Sequence, residues 1–225
     1  MTARCSARHP FPGAALFHSC LSHPICWHMY KIFIALSLAL TTALPALADP
    51  IPLSSLTNYI RGLSSAQTTF TQISADGAVS TGKLYLRRPG RARFEYDNDG
   101  GLVIAGGSQV AVFDPVSNQP PEQFPLKRTP LNLILSRSIN LANSENIIGH
   151  SGDSELTSIL AHDPKAPELG TLEMVFTGDP IELRQWIMTD ETGGETTVVL
   201  GPLESVDTLP NSMFNITREI EARQR

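Results

Sequence analysis

Cysteine is scarce in this chain, and histidine is nearly as scarce beyond its first 48 residues. The three cysteines all lie before residue 49, at Cys5, Cys20 and Cys26. We therefore predict that the following segment has neither disulfides nor thiolate metal sites. Two of the six histidines, His150 and His162, lie in that segment. Their spacing is not that of a metal-binding pair, so we predict no metal site and no cofactor.

The sequence also lacks catalytic motifs. It contains no Gly-x-Ser-x-Gly elbow, no phosphate-binding loop, and no Gly-x-Gly-x-x-Gly between a strand and a helix. The carboxylate pairs Asp97 with Asp99 and Glu219 with Glu221 fall in turns or near the tail, where solvent exposure explains them. We therefore predict that the protein is not an enzyme and has no catalytic residue.

Positive charge is also in short supply. The chain has 17 basic and 22 acidic residues, and three of the basic ones, Arg4, Arg8 and Lys31, precede residue 49. The segment from residue 49 onward thus has 14 basic and 22 acidic residues, a net charge of −8. Such an anionic chain is poorly suited to binding nucleic acid, so we predict no nucleic-acid partner.

One long apolar run is present, from Ile32 to Leu44, and it is shorter than the about 20 residues that span a membrane. It follows Met29-Tyr-Lys and precedes Ala46-Leu-Ala, the pattern of a cleaved secretory signal peptide. We therefore divide the chain into residues 1–28, an over-extended and disordered start, residues 29–48, a signal peptide, and residues 49–225, a single exported domain.

The exported segment has the pattern of a mostly β, α+β protein. Leucine, tyrosine and isoleucine recur at helical spacing after Pro52, which predicts an N-terminal helix. Period-two alternation between turn residues predicts about eleven strands, near residues 70–74, 82–88, 91–96, 102–105, 109–113, 119–124, 146–150, 156–162, 171–176, 181–189 and 195–203. An antiparallel meander of that width should curl into a barrel or a strongly bent sheet with a concave face to fill.

A second, short helix is predicted between the two groups of strands. Thr129 is placed to cap it, Pro130 suits its first position, and Leu131, Ile134 and Leu135 form an apolar stripe. A helix of this length is not stable alone, so it must rest on an apolar surface. We expect it to cover the mouth of the sheet together with the N-terminal helix.

The hairpin over residues 82–96 places an arginine in an unusual position. Leu84 and Leu86 share one face, and the alternation puts Arg88 on that face too. Arginine is rarely buried without partners. Two interpretations stay open on the pattern alone: Arg88 bends into water beside the turn, or it is a polar latch at the rim of an apolar cavity.

Other arginines cluster around the same turn. Arg87, Arg91 and Arg93 point to the outer face of the hairpin together with Glu95. The cluster is consistent with an anion site for lipid head groups, glycans or an acidic partner. The pattern favours the simpler interpretation, weak ion pairs to neighbouring acids.

Short motifs in a fixed order resemble one known family, the LolA-type periplasmic outer-membrane lipoprotein carrier proteins. The motifs are Phe70-Thr-Gln, Gly82-Lys-Leu-Tyr-Leu, Arg88-Pro-Gly with Phe94, Phe113-Asp-Pro, Thr129-Pro-Leu, Phe176, Trp186 with Asp190 and Gly193, and Asn211 with Phe214. They cover nearly the whole exported segment. The tail after Phe214 is short and charged.

The resemblance implies an unclosed antiparallel β-barrel of eleven strands, with helices forming a lid over an apolar cavity. It identifies Arg88 as the arginine that holds the lid closed. The residues expected to line the acyl-chain cavity are Leu84, Leu86, Phe94, Tyr96, Phe113, Leu172, Met174, Phe176 and Leu183. Those expected in the lid are Leu56, Ile60, Leu131, Ile134 and Leu135.

The resemblance also implies a function. Such a protein is a periplasmic chaperone and a monomer that takes the acyl chains of lipoproteins released by an inner-membrane ABC transporter and carries them to an outer-membrane receptor. Two alternatives stay open at this point. One is a regulatory protein that senses lipid or lipoprotein with the same barrel, and the other, disfavoured by the missing catalytic set, is a periplasmic hydrolase.

Overall fold

A computed structural model describes residues 49–97, 100–117, 119–143 and 145–224. The expected over-extended start and signal peptide lie outside the described residues. Among the described residues, no helix is both long and apolar enough to cross a membrane.

Twelve strands of the described chain form one antiparallel sheet. They are β1 Ser65–Ile73, β2 Val79–Arg87, β3 Arg91–Tyr96, β4 Leu102–Gly106, β5 Gln109–Phe113, β6 Glu122–Pro125, β7 Ile147–Gly152, β8 Leu156–His162, β9 Thr171–Thr177, β10 Glu182–Thr189, β11 Glu195–Leu200 and β12 Glu204–Ser205. The order is β6-β5-β4-β3-β2-β1-β11-β10-β9-β8-β7, and β12 pairs with β1. Since β6 and β7 lie at opposite ends of that order, the sheet is unclosed, and the expected fold class is confirmed.

The first strand joins two meanders. β1 pairs with β2 on one side, where Phe70 lies opposite Gly82, and with β11 on the other, where Phe70 lies opposite Leu200. Gly82 allows the close approach here, because a Cβ at this position would clash with the backbone of Glu95 and with the Phe70 ring.

Three α-helices complete the described part of the fold: α1 Leu53–Gly62, α2 Asn132–Leu135 and α3 Ile216–Arg223. Four 3₁₀ helices lie at Leu126–Arg128, Leu141–Asn143, Pro167–Leu169 and Asn211–Phe214. The inner face of the sheet, α1 and α2 share one apolar core, in which Leu56 and Ile60 of α1 are fully buried. A smaller cluster lies on the outer face, where α3 covers β4 and β5.

Several predicted boundaries were wrong for identifiable reasons. β6 begins after Pro121, because a proline cannot donate to the strand ladder. β1 begins at Ser65, five residues before the prediction, because pairing with β2 and β12 extends its polar start. β11 ends at Leu200, just before Gly201-Pro202.

The capping role predicted for Thr129 was also wrong. Its hydroxyl donates to the Leu126 carbonyl at 2.8 Å, within the preceding 3₁₀ turn, and accepts no bond from an N–H of α2. α2 is a single turn with Leu131 at its N-cap and no side-chain capping bond. Its position therefore depends on tertiary contacts.

Candidate functional site: an apolar cavity beneath a hydrogen-bonded lid

A cavity of about 170 Å³ opens on the inner face of the sheet. Phe94, Trp186 and Val198 form part of its wall, and Pro130 and Leu131 border it from the segment that leads into α2. Its lining is mostly apolar. The volume is smaller than the roughly 300–1,000 Å³ of pockets that enclose a drug-sized ligand. A larger apolar ligand would therefore have to displace the covering segment.

Aromatic rings stiffen this wall. Phe94 packs edge-on against Trp186, with ring centroids 6.2 Å apart, and against Phe70 at 5.5 Å. Tyr96 packs against the same Phe70 ring at 5.2 Å, and its hydroxyl donates to Oε1 of Gln72 at 2.8 Å. The Gln72 amide nitrogen donates in turn to the Ser74 hydroxyl at 3.3 Å, so both polar groups at this side of the cavity have partners.

The predicted cavity residues fall into three groups. Phe94 and Tyr96 line the cavity. Six others are buried in the same core cluster without lining it: Leu84, Leu86, Leu172, Met174, Phe176 and Leu183.

Phe113 forms the third group, and its assignment to the cavity was wrong. It lies in the outer-face cluster, paired across strands with Leu102 and packed with Ile216 and Ile220 of α3. Both faces of β5 are apolar, because Val110 points to the inner core and Ala111 to the outer cluster. The alternation therefore could not decide which face was the inner one without knowledge of α3.

Trp186 is the main cavity residue that the predicted set lacks. It shares a face with Leu183 although the two are three residues apart, because the pairing of β9 and β10 shifts register between Leu183 and Gln185. Simple alternation from Leu183 would place Trp186 outside. Val103 and Val110 also line the cavity without having been predicted.

Arg88 points inward and joins two parts of the lid. Its guanidinium donates to the carbonyl of Ile60 at the end of α1 and to the carbonyl of Ser136, just after α2, the latter at 2.8 Å. Its Nε is buried and has no hydrogen-bond partner among the described residues. Burial lowers the pKa of Arg88, and the positive charge of Arg61 lowers it further. Placing the charge here is therefore energetically costly.

Further bonds hold the segment from Pro130 to Leu141, which we call the lid segment and whose first two residues, Pro130 and Leu131, border the cavity. Gly90 in the β2–β3 turn donates its backbone N–H to the Leu135 carbonyl at 2.8 Å. Arg61 donates through Nε to the Ile139 carbonyl at 2.8 Å. The backbone N–H of Leu141 donates to Thr57 Oγ1 at 3.1 Å. The lid segment is therefore attached to α1 and the turn by polar bonds as well as by packing.

The outer arginines have other partners. Arg93 pairs with Glu95 at 2.6 Å and with Glu219 at 3.2 Å. Arg87 donates to the Leu209 carbonyl and to Asn211. Arg93 thus forms the ion pairs that the sequence left open, and both arginines attach the C-terminal segment to the sheet.

An unclosed antiparallel sheet with an apolar cavity under a hydrogen-bonded cover defines a binding protein. The model of the family described as outer membrane lipoprotein carrier protein LolA matches residues 61–217, and the chain belongs to this family. Comparison with curated proteins gives no match.

Solved structures with similar chains have low sequence identity. An uncharacterized conserved protein from Thermus thermophilus gives a TM-score of 0.43 at 12% identity, over 71% of this chain and 90% of that one. A LolA superfamily protein from Nitrosomonas europaea gives 0.38 at 11% identity, over 72% and 96%. MucB in complex with MucA gives 0.37 at 14% identity, over 72% and 59%.

Proposed function

We propose that this protein is a periplasmic carrier for the acyl chains of lipoproteins. It would receive them from an inner-membrane ABC transporter, shield them in its cavity as a monomer, and pass them to an outer-membrane receptor. The observation that carries the proposal is the apolar cavity bordered by Phe94, Trp186 and Leu131 beneath a lid segment that Arg88 connects to α1. Membership of a lipoprotein-carrier family supports it.

The energetics of capture are favourable. Each acyl methylene removed from water contributes about 0.8 kcal/mol, so shielding part of one chain gives a large driving force. Because the cavity measures only about 170 Å³, loading requires the lid segment to move and enlarge it. The proposed resting state is therefore closed, and the proposed loaded state is open.

Release is the harder step, and Arg88 offers a means for it. Opening must break its bonds to the Ile60 and Ser136 carbonyls, which lowers the net affinity for the cargo. Closing restores those bonds and favours departure of the acyl chains. Arg88 acts here as a positioning residue of the lid and takes no part in catalysis.

The proposal is tested by incubating inner-membrane vesicles that contain a lipoprotein and its releasing transporter with the protein from residue 49 onward. We expect ATP-dependent release of acylated lipoprotein into a soluble one-to-one complex. A non-acylated version of the same lipoprotein is the control and should form no complex.

Trp186 supplies a direct readout, because it is the one tryptophan after residue 48 and lines the cavity. A lipopeptide with brominated acyl chains should quench its fluorescence. Quenching without release from vesicles would favour a lipid- or lipoprotein-sensing protein over a carrier. If neither quenching nor release occurred, the cavity would not be an acyl-chain site.

A further inference from the structure

The inner face of the sheet continues beyond the cavity as an exposed apolar strip. Two cross-strand rows run outward from β3: Phe94–Val103–Val112, which ends on β5, and Ala92–Ala105–Val110–Phe124, which ends on β6. Their inner members are buried, apart from the partly buried Val103, whereas the last members, Val112 and Phe124, are 38% and 46% exposed. We call Val112 and Phe124 the outer strip.

The outer strip is continuous with the cavity wall. Val103 lies opposite Val112, Val110 lies opposite Phe124, and both Val103 and Val110 line the cavity. From β4 to β6 the path extends roughly 10 Å at the usual interstrand spacing. An acyl chain leaving the cavity along these rows would meet apolar side chains until Glu122, opposite Val112, ends one of them.

The edge of the sheet is less suited to a partner than this face. β6 has four residues, ends at Pro125 and follows Pro120-Pro121. Prolines lack the backbone N–H that an added strand would need, and a short edge gives few bonds. The net charge of −8 from residue 49 onward also disfavours docking on an anionic bilayer surface.

We propose that the outer strip binds the length of acyl chain that the cavity does not enclose. The inference rests on the proposed carrier function and names a second, external part of its binding site. Its basis is the unbroken apolar path from the cavity-lining residues Val103 and Val110 to the exposed side chains of Val112 and Phe124. Cargo with several acyl chains depends on the strip, and cargo with one short chain fits the cavity alone.

The experiment compares two lipopeptides with the same peptide sequence, one with three long acyl chains and one with a single short chain. Affinities are measured by quenching of Trp186 with brominated chains. The test variant is Val112→Ser with Phe124→Ser.

A matched control is available in the pair Ile73 and Val79, which lie opposite each other on β1 and β2. They are similarly exposed, at 41% and 61%, and Ile73 points away from the face of Gln72, which lines the cavity. The control variant is Ile73→Ser with Val79→Ser. Thermal unfolding of both variants confirms that each is folded.

We expect the strip variant to bind the three-chain peptide roughly three- to tenfold more weakly than the wild type, and the control variant to bind it normally. All three proteins should bind the single-chain peptide equally. Equal binding of the three-chain peptide by wild type and strip variant would overturn the inference while leaving the carrier function intact. The inference would also be overturned if the strip variant bound the three-chain peptide normally and lost only transfer from vesicles, because that result would indicate a protein partner on the strip. If the wild type binds neither peptide, the carrier function fails and the strip with it.

Discussion

Replacing Arg88 by leucine should shift the lid toward its open state while the sheet stays folded. The substitution removes both bonds from the guanidinium, to the carbonyls of Ile60 and Ser136. Hydrogen bonds from a charged group contribute about 1.5–3 kcal/mol each. Burial of the charge and its proximity to Arg61, which lower the pKa of Arg88, offset part of this gain.

From these opposing contributions we expect a net loss of about 2 kcal/mol in the closed state, or roughly a 30-fold rise in the ratio of open to closed molecules. Hydrogen–deuterium exchange measures it directly. The backbone N–H groups of Gly90 and Leu141, which bond across the lid boundary to Leu135 and Thr57, should exchange faster by about that factor.

The affinity of the Arg88→Leu protein for acyl chains should rise together with its open fraction. If the open state is the one that binds acyl chains, the apparent dissociation constant falls as the open fraction rises. The Arg88→Leu protein should therefore take up acyl chains tightly and transfer them poorly to an acceptor membrane.

Arg87→Leu is the matched control, because Arg87 also donates to a backbone carbonyl, that of Leu209, but on the C-terminal segment. It should leave exchange in the lid segment and cargo affinity unchanged. Unchanged exchange at Leu141 in the Arg88→Leu protein, or an equal change in the Arg87→Leu protein, would refute the role of Arg88 in holding the lid.

Three further predictions concern other contacts of the sheet and lid. Arg61→Gln should speed exchange in the lid segment less than Arg88→Leu does, by about threefold, because it removes one bond and also relieves repulsion on Arg88. Burial raises the pKa of Glu219, but the hydrogen bonds and charges of Arg223 and Arg93 outweigh this effect and hold the pKa below its usual value. Glu219→Gln should therefore cost about 1 kcal/mol of unfolding free energy at pH 7. Urea titrations should show that difference shrinking as the pH falls below about 4. A carboxyl group whose pKa is lowered by folding stabilises the fold fully above its pKa in the unfolded state, and the stabilisation is lost as the pH falls through its pKa in the folded state. Gly106→Ala should lower the melting temperature by several degrees, because the added Cβ would clash with the backbone carbonyl of Phe214.

Much of the sheet could be predicted because the two faces of most strands differ. In β9, Leu172, Met174 and Phe176 are fully buried and alternate with half-buried residues, and β9 begins where the alternation begins. The inward direction of Arg88 followed from the same rule applied to β2. The pattern left open whether Arg88 was a latch, because its acceptors are backbone carbonyls of residues 28 and 48 positions away.

The C-terminal helix was missed for a related reason. Residues 216–223 include two isoleucines, Ile216 and Ile220, among mostly charged and polar side chains, so the segment resembles a solvated tail. It becomes a helix because the outer face of β4 and β5 offers an apolar surface and Asn215 caps its first turn at 3.0 Å from the Arg218 N–H. The same omission led to the wrong assignment of Phe113.

The lid segment packs into the same apolar core as the sheet, but it lacks the strand ladder that holds the sheet together, and this difference allows the lid to move while the sheet stays folded. The sheet wall around Phe94 and Trp186 is aromatic and closely packed, so it deforms only at high cost. The lid segment is attached through four polar bonds, from Gly90, Arg88, Arg61 and Leu141, each of which water can replace when the lid opens. Opening therefore exchanges protein hydrogen bonds for hydration and also uncovers the buried side chains of Leu135, Ile139 and Leu141, so the acyl chains must replace that apolar contact as well.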